Sequence, residues 1–566
     1  MKTLFKNCFV VNVFLDELVQ ENVLVEDERI IGVGKQYLDS DADLAIDLEG
    51  KILCPGLIDG HIHIESTSLT PFEFSKVAIR HGTTTVVADP HEIANVCGVN
   101  GIKYMLEASK GLPLSVYFVL PSCVPATPFD ESGATLKAKD LEPFYEDKRV
   151  LGLGEVMDFP GVIKKDPDLL KKILDAKERG LIVDGHAPLL SGKDLDAYLE
   201  EGIGSDHECP TFLEAKEKLS KGQYIMIREG SAAKNLESLI GLFDEPYNHR
   251  CLLVTDDCHA HDLLEVGEID HIIRKATALG KNPLIAIRMA TIQAATYFNI
   301  KEIGAIAPGY YANMIVLDDL PTFKIRDVYY KGKAYYQNEK SIAFEEPKVD
   351  ESLLNETFHS FHMGEIHEED FIVKEEKGKA VRVISIIKDS LMTEEEHIHL
   401  DFTKNNGVDI TKGILKIADF ERHNSTGHHF VGFIKGITLK EGAIASSLNH
   451  DSHNLTILGT NERDMAIASN YLREKEGGLV YVNKGKVIAF LPLQIGGVMS
   501  KEDAYTISEK EGELLESVYQ AGVSRTLSPF MLLAFLSLPV IPKLKLTTRG
   551  LVDVTKQSFV PLFVTE

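Results

Sequence analysis

Between residues 51 and 300 this chain repeats one pattern: a short apolar run, a polar break, a helix-patterned segment, then another apolar run. Eight runs can be counted, at 52–63, 83–89, 115–121, 150–156, 181–186, 202–207, 224–229 and 251–257. The segments between them, such as 166–179 and 192–201, carry apolar residues at helical spacing. Strands buried on both faces and joined through helices make a parallel sheet. Eight such units in about 250 residues predict an α/β fold, a (β/α)8 TIM barrel. No repeat is visible in residue identity, so the count rests on pattern alone.

The flanks read differently. Residues 1–50 hold strand-like runs at 4–14, 23–26 and 30–33, broken by turns rich in Asp, Glu, Gly and Asn. Strand-like sequence returns at 303–318 and 325–336. The expectation is a small composite β-sandwich domain built from 1–50 plus 303–345, with the barrel at 51–302 between its halves. A charged, Pro-containing stretch at 337–350 reads as a linker. Residues 351–566 stay globular in composition, with strands expected at 381–387, 479–483 and 486–491 and helices at 462–475 and 501–520. They form an additional C-terminal α+β domain.

Composition excludes several classes of function. The 566 residues carry a formal net charge of −26, which argues against a nucleic-acid partner, since phosphate binding needs a basic face. Seven scattered cysteines include no Cys-x-x-Cys pair, so a reducing cytoplasm fits better than a disulfide framework. The N-terminal apolar run is interrupted by Asn7 and Asn12 and reads as a strand, not a signal peptide. The apolar stretch at 530–542 is too short to span a bilayer and contains Pro539, so no membrane partner is expected. A homodimer is the base-rate expectation for the assembly.

Most of the eight runs end in a residue able to bind metal or move a proton, where the active sites of such barrels lie. His61 and His63, at alternate positions of the first run, point to the same face. Glu155 ends the fourth run, His186 the fifth, His207 the sixth, and Asp256 sits in the last. Singly, each has an ordinary structural explanation: Glu155 as an ion-pair partner, Asp256 as a helix cap, the histidines as core residues. Jointly, and in this order at strand ends, they predict a metal site. Imidazoles with carboxylates suit manganese, iron or zinc. Six ligands exceed the needs of one catalytic zinc and match two metals sharing a carboxylate.

In this detail the chain resembles the amidohydrolase superfamily, with Glu155 where many members carry a carboxylated lysine. It resembles more closely the adenine deaminase family, in DGHIHIES (59–66), ADPHEIANV (88–96), GEVMD (154–158), DGHAP (184–188), SDHE (205–208), REGS (228–231) and TDD (255–257). The likeness continues beyond the barrel, in RH (422–423), GHH (427–429), NHDSHN (449–454) and LP (491–492), and so covers nearly the whole chain. Cys258 departs from it, standing where a longer basic side chain is expected.

The resemblance implies hydrolytic deamination of adenine to hypoxanthine and ammonia by a metal-bound hydroxide, in purine salvage. His61, His63, Glu155, His186, His207 and Asp256 would hold two divalent ions, Mn(II) first, with Fe(II) or Zn(II) as alternatives. Asp256 would take the water proton and pass it to the leaving amine, with Asp257 the rival for that role. Asp89, His91 and Glu92, after the second run, are candidates for proton transfer or purine recognition. Arg228, Glu229 and Ser231 are candidates for substrate contact. The histidines of 422–454 fit no closed metal site and are expected to order a loop near the barrel mouth.

The rival readings are another binuclear amidohydrolase, either a cyclic amide hydrolase or an N-acetyl sugar deacetylase, and a non-catalytic scaffold. The Asp-Pro-His-Glu stretch and the long C-terminal domain argue against the first, and the complete ligand set argues against the second. The other class of zinc nucleobase deaminase needs Pro-Cys-x-x-Cys, which is absent.

Overall fold

The computed structural model describes residues 1–388 and 390–565. The chain opens with β1 (Lys2–Asn12), β2 (Glu17–Glu26), β3 (Arg29–Val33), β4 (Leu44–Asp47) and β5 (Ile52–Pro55). Then come β6 (Leu57–Ile62), β7 (Thr83–Ala88), β8 (Ser115–Leu120), β9 (Val150–Val156), β10 (Ile182–Gly185), β11 (Ser205–Asp206), β12 (Tyr224–Arg228) and β13 (Cys251–Val254). Neighbours pair in parallel from β6 through β10 and from β11 through β13.

Backbone bonds close the two remaining gaps. The Gly204 amide donates to the Val183 carbonyl at 2.8 Å, beside β11. The His63 amide donates to Asp256 and the Asp256 amide to His61, at 3.1 and 2.9 Å. The result is an eight-stranded parallel barrel. Its interior is filled by Ile58, Val87, Val119, Met226, Leu252 and Val254, packed against Phe298 at the closed end.

The helices outside are capped as their sequences dictate. Pro167–Glu178, for example, starts on Asp166, whose carboxylate accepts from the amides of Asp168 and Leu169, with a proline in the first turn.

After the barrel, β14 (Met314–Leu317), β15 (Ile325–Tyr330), β16 (Lys333–Gln337) and β17 (Lys340–Ser341) return to the first sheet. The order is β17-β16-β15-β14-β5-β1-β2-β3, with β4 beside β1. Both halves thus form one continuous sheet of nine strands among the described residues, curled around Phe5, Val10, Val23, Leu53, Met314 and Val316.

Two boundaries differ from the sequence expectation. The run at 52–63 is divided at Gly56, so β5 belongs to the outer sheet and β6 to the barrel. A Cβ at Gly56 would lie 2.3 Å from the Thr84 hydroxyl, so only glycine lets the chain pass there. The stretch expected as a linker instead continues the sheet as β17. Beyond it, Phe344 and Val349 pack onto the largest core cluster.

The C-terminal region builds a second mixed sheet, from edge strand Thr393–Ile398 through Ala380–Ile386, His429–Lys435, Ile414–Phe420, Leu455–Gly459, Ala443–Ser446 and Gly478–Asn483 to Lys486–Pro492. Leu415, Ile417, Leu458 and Leu493 from this region share one apolar cluster with Ile62, Phe74, Ile93 and Leu120 of the barrel. That shared core holds the C-terminal region against the barrel mouth.

Candidate active site

The strand ends bring six sequence-predicted donors to one point. His61 Nε2 lies 3.1 Å from Glu155 Oε1 and 3.4 Å from Asp256 Oδ1. His63 Nε2 faces the same two oxygens at 2.9 and 3.1 Å. The other oxygen of Glu155 faces His186 Nδ1 at 2.7 Å and His207 Nε2 at 3.4 Å. The donor atoms of His61, His63, Glu155 and Asp256 all lie within 4.8 Å of one another, as do those of Glu155, His186 and His207. Glu155 therefore offers one oxygen to each group.

This donor set fits divalent cations. His63 Nδ1 lies 3.0 Å from the Asp89 carbonyl, so it carries the proton, as a ligand's second nitrogen commonly does. Its Nε2 lone pair then points at two carboxylate oxygens, which is repulsive unless a positive charge sits between them. Protons can supply that charge. Burial lowers the His61 and His63 imidazoles, but Asp256 and Glu155 outweigh it, pulling His61 up to about 10 and His63 well above its ordinary value. A divalent cation bound by the neutral rings would supply the charge in place of those protons.

Buried polar residues fix the spacing. The Tyr198 hydroxyl donates to the Val156 carbonyl at 2.7 Å and accepts from the His186 amide at 3.1 Å, tying the end of β9 to that of β10. Lys218, fully buried, holds Asp206 at 2.5 Å and the Ala187 carbonyl at 2.7 Å. Asp59 accepts from the Thr255 and His61 amides at 3.2 and 3.1 Å. Asp256 has φ of +61°, a left-handed conformation that costs a non-glycine residue about 1 kcal/mol and re-aims its carboxylate at the end of β13.

Asp256 also faces Arg228, whose Nη1 lies 2.5 Å from Oδ2. Burial works to raise the Asp256 carboxyl, yet Arg228 and the two histidines hold it well below the usual carboxylate range. Arg228 pairs at the same time with Glu208 through its two terminal guanidinium nitrogens, Nη1 and Nη2. Asp257 also lines the cavity, but its Oδ1 accepts from the Ser66 hydroxyl at 2.5 Å and its carboxylate lies with Glu92 and His450. Between the two adjacent acids, Asp256 is the one beside the paired histidines.

The loop after β7 divides its roles. Asp89 lies beneath the site, its Oδ2 accepting the Glu155 amide at 3.2 Å. Gly154 permits this approach, because a Cβ there would lie 2.0 Å from that oxygen. His91 packs edge-on against His63, with ring centroids 4.4 Å apart, and its Nε2 is 3.4 Å from Glu92 Oε1.

Glu92 reaches across to the C-terminal region, where His450 Nδ1 lies 2.6 Å from Oε1 and His453 Nε2 contacts Oε2. The Asn449 amide donates to His453 Nδ1 at 3.2 Å, so Nε2 carries the proton and donates to Glu92. Burial alone would raise the Glu92 carboxyl, but His450, His453 and His91 hold it well below its ordinary value.

These groups line a cavity of about 160 Å³. Its polar floor includes His63, His91, Glu92, Glu155, His186, His207, Glu208, Arg228 and Asp256. Two of the predicted substrate contacts lie outside it. Glu229 is turned toward Lys275 at 2.8 Å, and the Ser231 hydroxyl pairs with Asp262 and accepts the His259 amide. Cys258 is buried in the main apolar cluster.

Sequence reading did not single out Glu208, His450, Asp451 or His453 as site residues. Glu208 lay within a motif already quoted, but Glu92 and His453 are 361 residues apart, and no spacing rule joins them.

The chain matches the amidohydrolase family over residues 52–335 and the adenine deaminase C-terminal domain over residues 390–558. It is 45% identical over 560 residues to adenine deaminase 2 of Carboxydothermus hydrogenoformans, covering 98% of this chain and 96% of that protein. Adenine deaminases of Desulfatibacillum aliphaticivorans and Geobacillus kaustophilus are each 41% identical, covering 99% and 98% of this chain and 96% of their own lengths.

Proposed function

Because this chain belongs to the adenine deaminase family of amidohydrolases, we infer that it hydrolyses adenine to hypoxanthine and ammonia. It is a hydrolase acting on a cyclic amidine C–N bond, with a divalent metal implied by its family. The observation that carries the site assignment is the shared Glu155, one oxygen toward His61 and His63 and the other toward His186 and His207.

We assign two divalent cations to these residues and Asp256, manganese(II) first, with iron(II) or zinc(II) as alternatives. When bound, such ions lower the pKa of a coordinated water and make it a nucleophile at neutral pH.

The protein's own groups do the rest. Asp256, held ionised by Arg228, accepts the proton of the attacking water at Oδ1 or Oδ2 and returns it to the departing amine. The water oxygen bonds C6 as the C6=N1 π bond opens, the exocyclic C6–N bond breaks as that nitrogen takes the proton, and ammonia leaves as C6=N1 re-forms in the lactim that tautomerises to hypoxanthine. His91 and Glu92, on the cavity wall, donate and accept at the purine ring nitrogens. Asp89 holds the Glu155 backbone in register. Arg228 positions Asp256, and Glu208 presents an acceptor to the base edge.

We assign 1–50 plus 303–345 to the outer β domain, 51–302 to the catalytic barrel and 351–566 to a domain that roofs the site, with β5 (Ile52–Pro55) moved from the barrel to the outer sheet it pairs with. No helix among the described residues is long and apolar enough to cross a membrane. A cytoplasmic homodimer completes the proposal, supported by seven free cysteines and the base rate of two-fold assemblies.

The test is ammonia release from adenine by protein stripped of metal and reloaded with manganese(II). Metal-dependent conversion to hypoxanthine is expected, with Asp256→Asn slower by at least ~10²-fold, the scale of lost acid–base catalysis. Absence of turnover with every metal would sink the reading.

A further inference from the structure

The cavity has two unlike sides. Its polar floor comes mainly from the barrel, joined by His450 and Asp451, and its apolar lining comes from two sources: Met157, Phe159, Pro188 and Ala233 of the barrel, and a longer stretch of the C-terminal region, Leu391, Phe535, Leu538, Val540 and Ile541.

This C-terminal wall is fastened in place. The Phe535 ring stacks on His450, centroids 4.6 Å apart and planes 17° from parallel. Lys545, with 0% of its surface exposed, donates to the Leu391 carbonyl at 2.9 Å and the Phe535 carbonyl at 3.0 Å. It has no carboxylate partner among the described residues, so its role is to hold these two backbone segments together. Thr393 makes further backbone bonds across the same junction, its amide donating to the Pro542 carbonyl at 3.0 Å and its carbonyl accepting from the Lys543 amide at 3.2 Å.

On the reading above, the purine must present C6 to the floor, because the nucleophile and Asp256 are there. The N3–N9 edge of a purine is remote from C6, so it would be turned from that floor toward the apolar lining, of which the C-terminal stretch is the larger part. A wall anchored at Lys545 and His450 cannot retreat cheaply, and a group attached at N9 would have to displace it.

We propose that the wall formed by Leu391 and Phe535 through Ile541, pinned by Lys545, is the specificity-determining element of the site, admitting purines bare at N9 and rejecting N9-substituted ones. This rests on the deaminase reading and adds to it the residues that set the size limit.

The experiment compares kcat/KM for adenine and 9-methyladenine in the unaltered protein, Phe535→Ala and Val540→Ala. The expected result is strong preference for adenine in the unaltered protein and a preference reduced at least ~10-fold in one or both variants, the scale of one methylene in an apolar pocket. A preference unchanged in both folded variants overturns the proposal, as does equal turnover of the two substrates by the unaltered protein.

A second arm needs no substitution and so survives misfolded variants. Inhibition of adenine turnover by 9-methyladenine and 9-ethyladenine should weaken with the added carbon, and equal inhibition by both would overturn the wall as a size limit. Failure of the unaltered protein to deaminate adenine at all is a separate result. It would remove the functional reading, and the proposal with it.

Discussion

At the scale of single residues, the site is a set of charges that need one another. Glu155 and Asp256 are buried carboxylates surrounded by imidazoles, and each group is tolerable only because the others are present. The same economy governs Glu92, whose two oxygens are each taken by a histidine from a distant segment. His453 is fixed in one tautomer by the Asn449 amide, so it acts as a directional donor. His453→Ala should lower kcat about 10- to 100-fold, as loss of an orienting partner does, while His453→Gln, which keeps an N–H near that position, should recover most of the rate. Steady-state kinetics on both variants, alongside melting curves, make the comparison. Equal losses in the two would show that His453 merely packs.

At the scale of elements, strand Leu544–Thr547 carries the odd feature of a buried lysine serving two carbonyls. Burial pulls the Lys545 ammonium down to about 7 from an ordinary value of 10.5. The folded protein therefore releases this proton near pH 7, whereas the unfolded chain keeps it to above pH 10. Where the unfolded state binds more protons, stability rises with pH. The cost of burying Lys545 is thus fully present below pH 7 and fades as pH climbs toward 10.5. Between pH 6 and pH 9 the wild type should gain roughly 3 kcal/mol relative to Lys545→Met. Denaturation midpoints at the two pH values test this, and a difference that does not change with pH would refute it.

At the scale of the whole molecule, the barrel and the C-terminal region share one apolar core and one cavity. The proposed metal donors lie at the ends of β6, β9, β10, β11 and β13, so a bound cation would draw these strands together. Cations that bind the folded site and not the unfolded chain stabilise the fold by mass action, about 4 kcal/mol at a thousandfold excess over Kd. Chelation should therefore lower the melting temperature of the full chain by several degrees, and manganese(II) should restore it. Superimposable melting curves with and without chelator would mean that no metal is held by these groups.

Much of this was legible in the sequence, for a physical reason. Alternation of buried strands with helical segments is a local pattern, and a barrel converts position along a strand into position at the rim. Donors at the ends of successive apolar runs therefore converge whatever lies between them, which is why His61, His63, Glu155, His186, His207 and Asp256 could be named beforehand. The side chains where β12 ends and its loop begins were less readable, because a loop has no fixed periodicity. Arg228 turns into the cavity, while Glu229 turns out to Lys275.

What the chain alone determined was the set of strands, their order and the chemistry at their ends. The division of run 52–63 between two sheets, the pairing of Glu92 with His450 and His453, and the apolar C-terminal residues lining the cavity were decided only in three dimensions. Each depends on contacts between segments far apart in sequence, and local patterning does not encode which distant surfaces a shared core will press together.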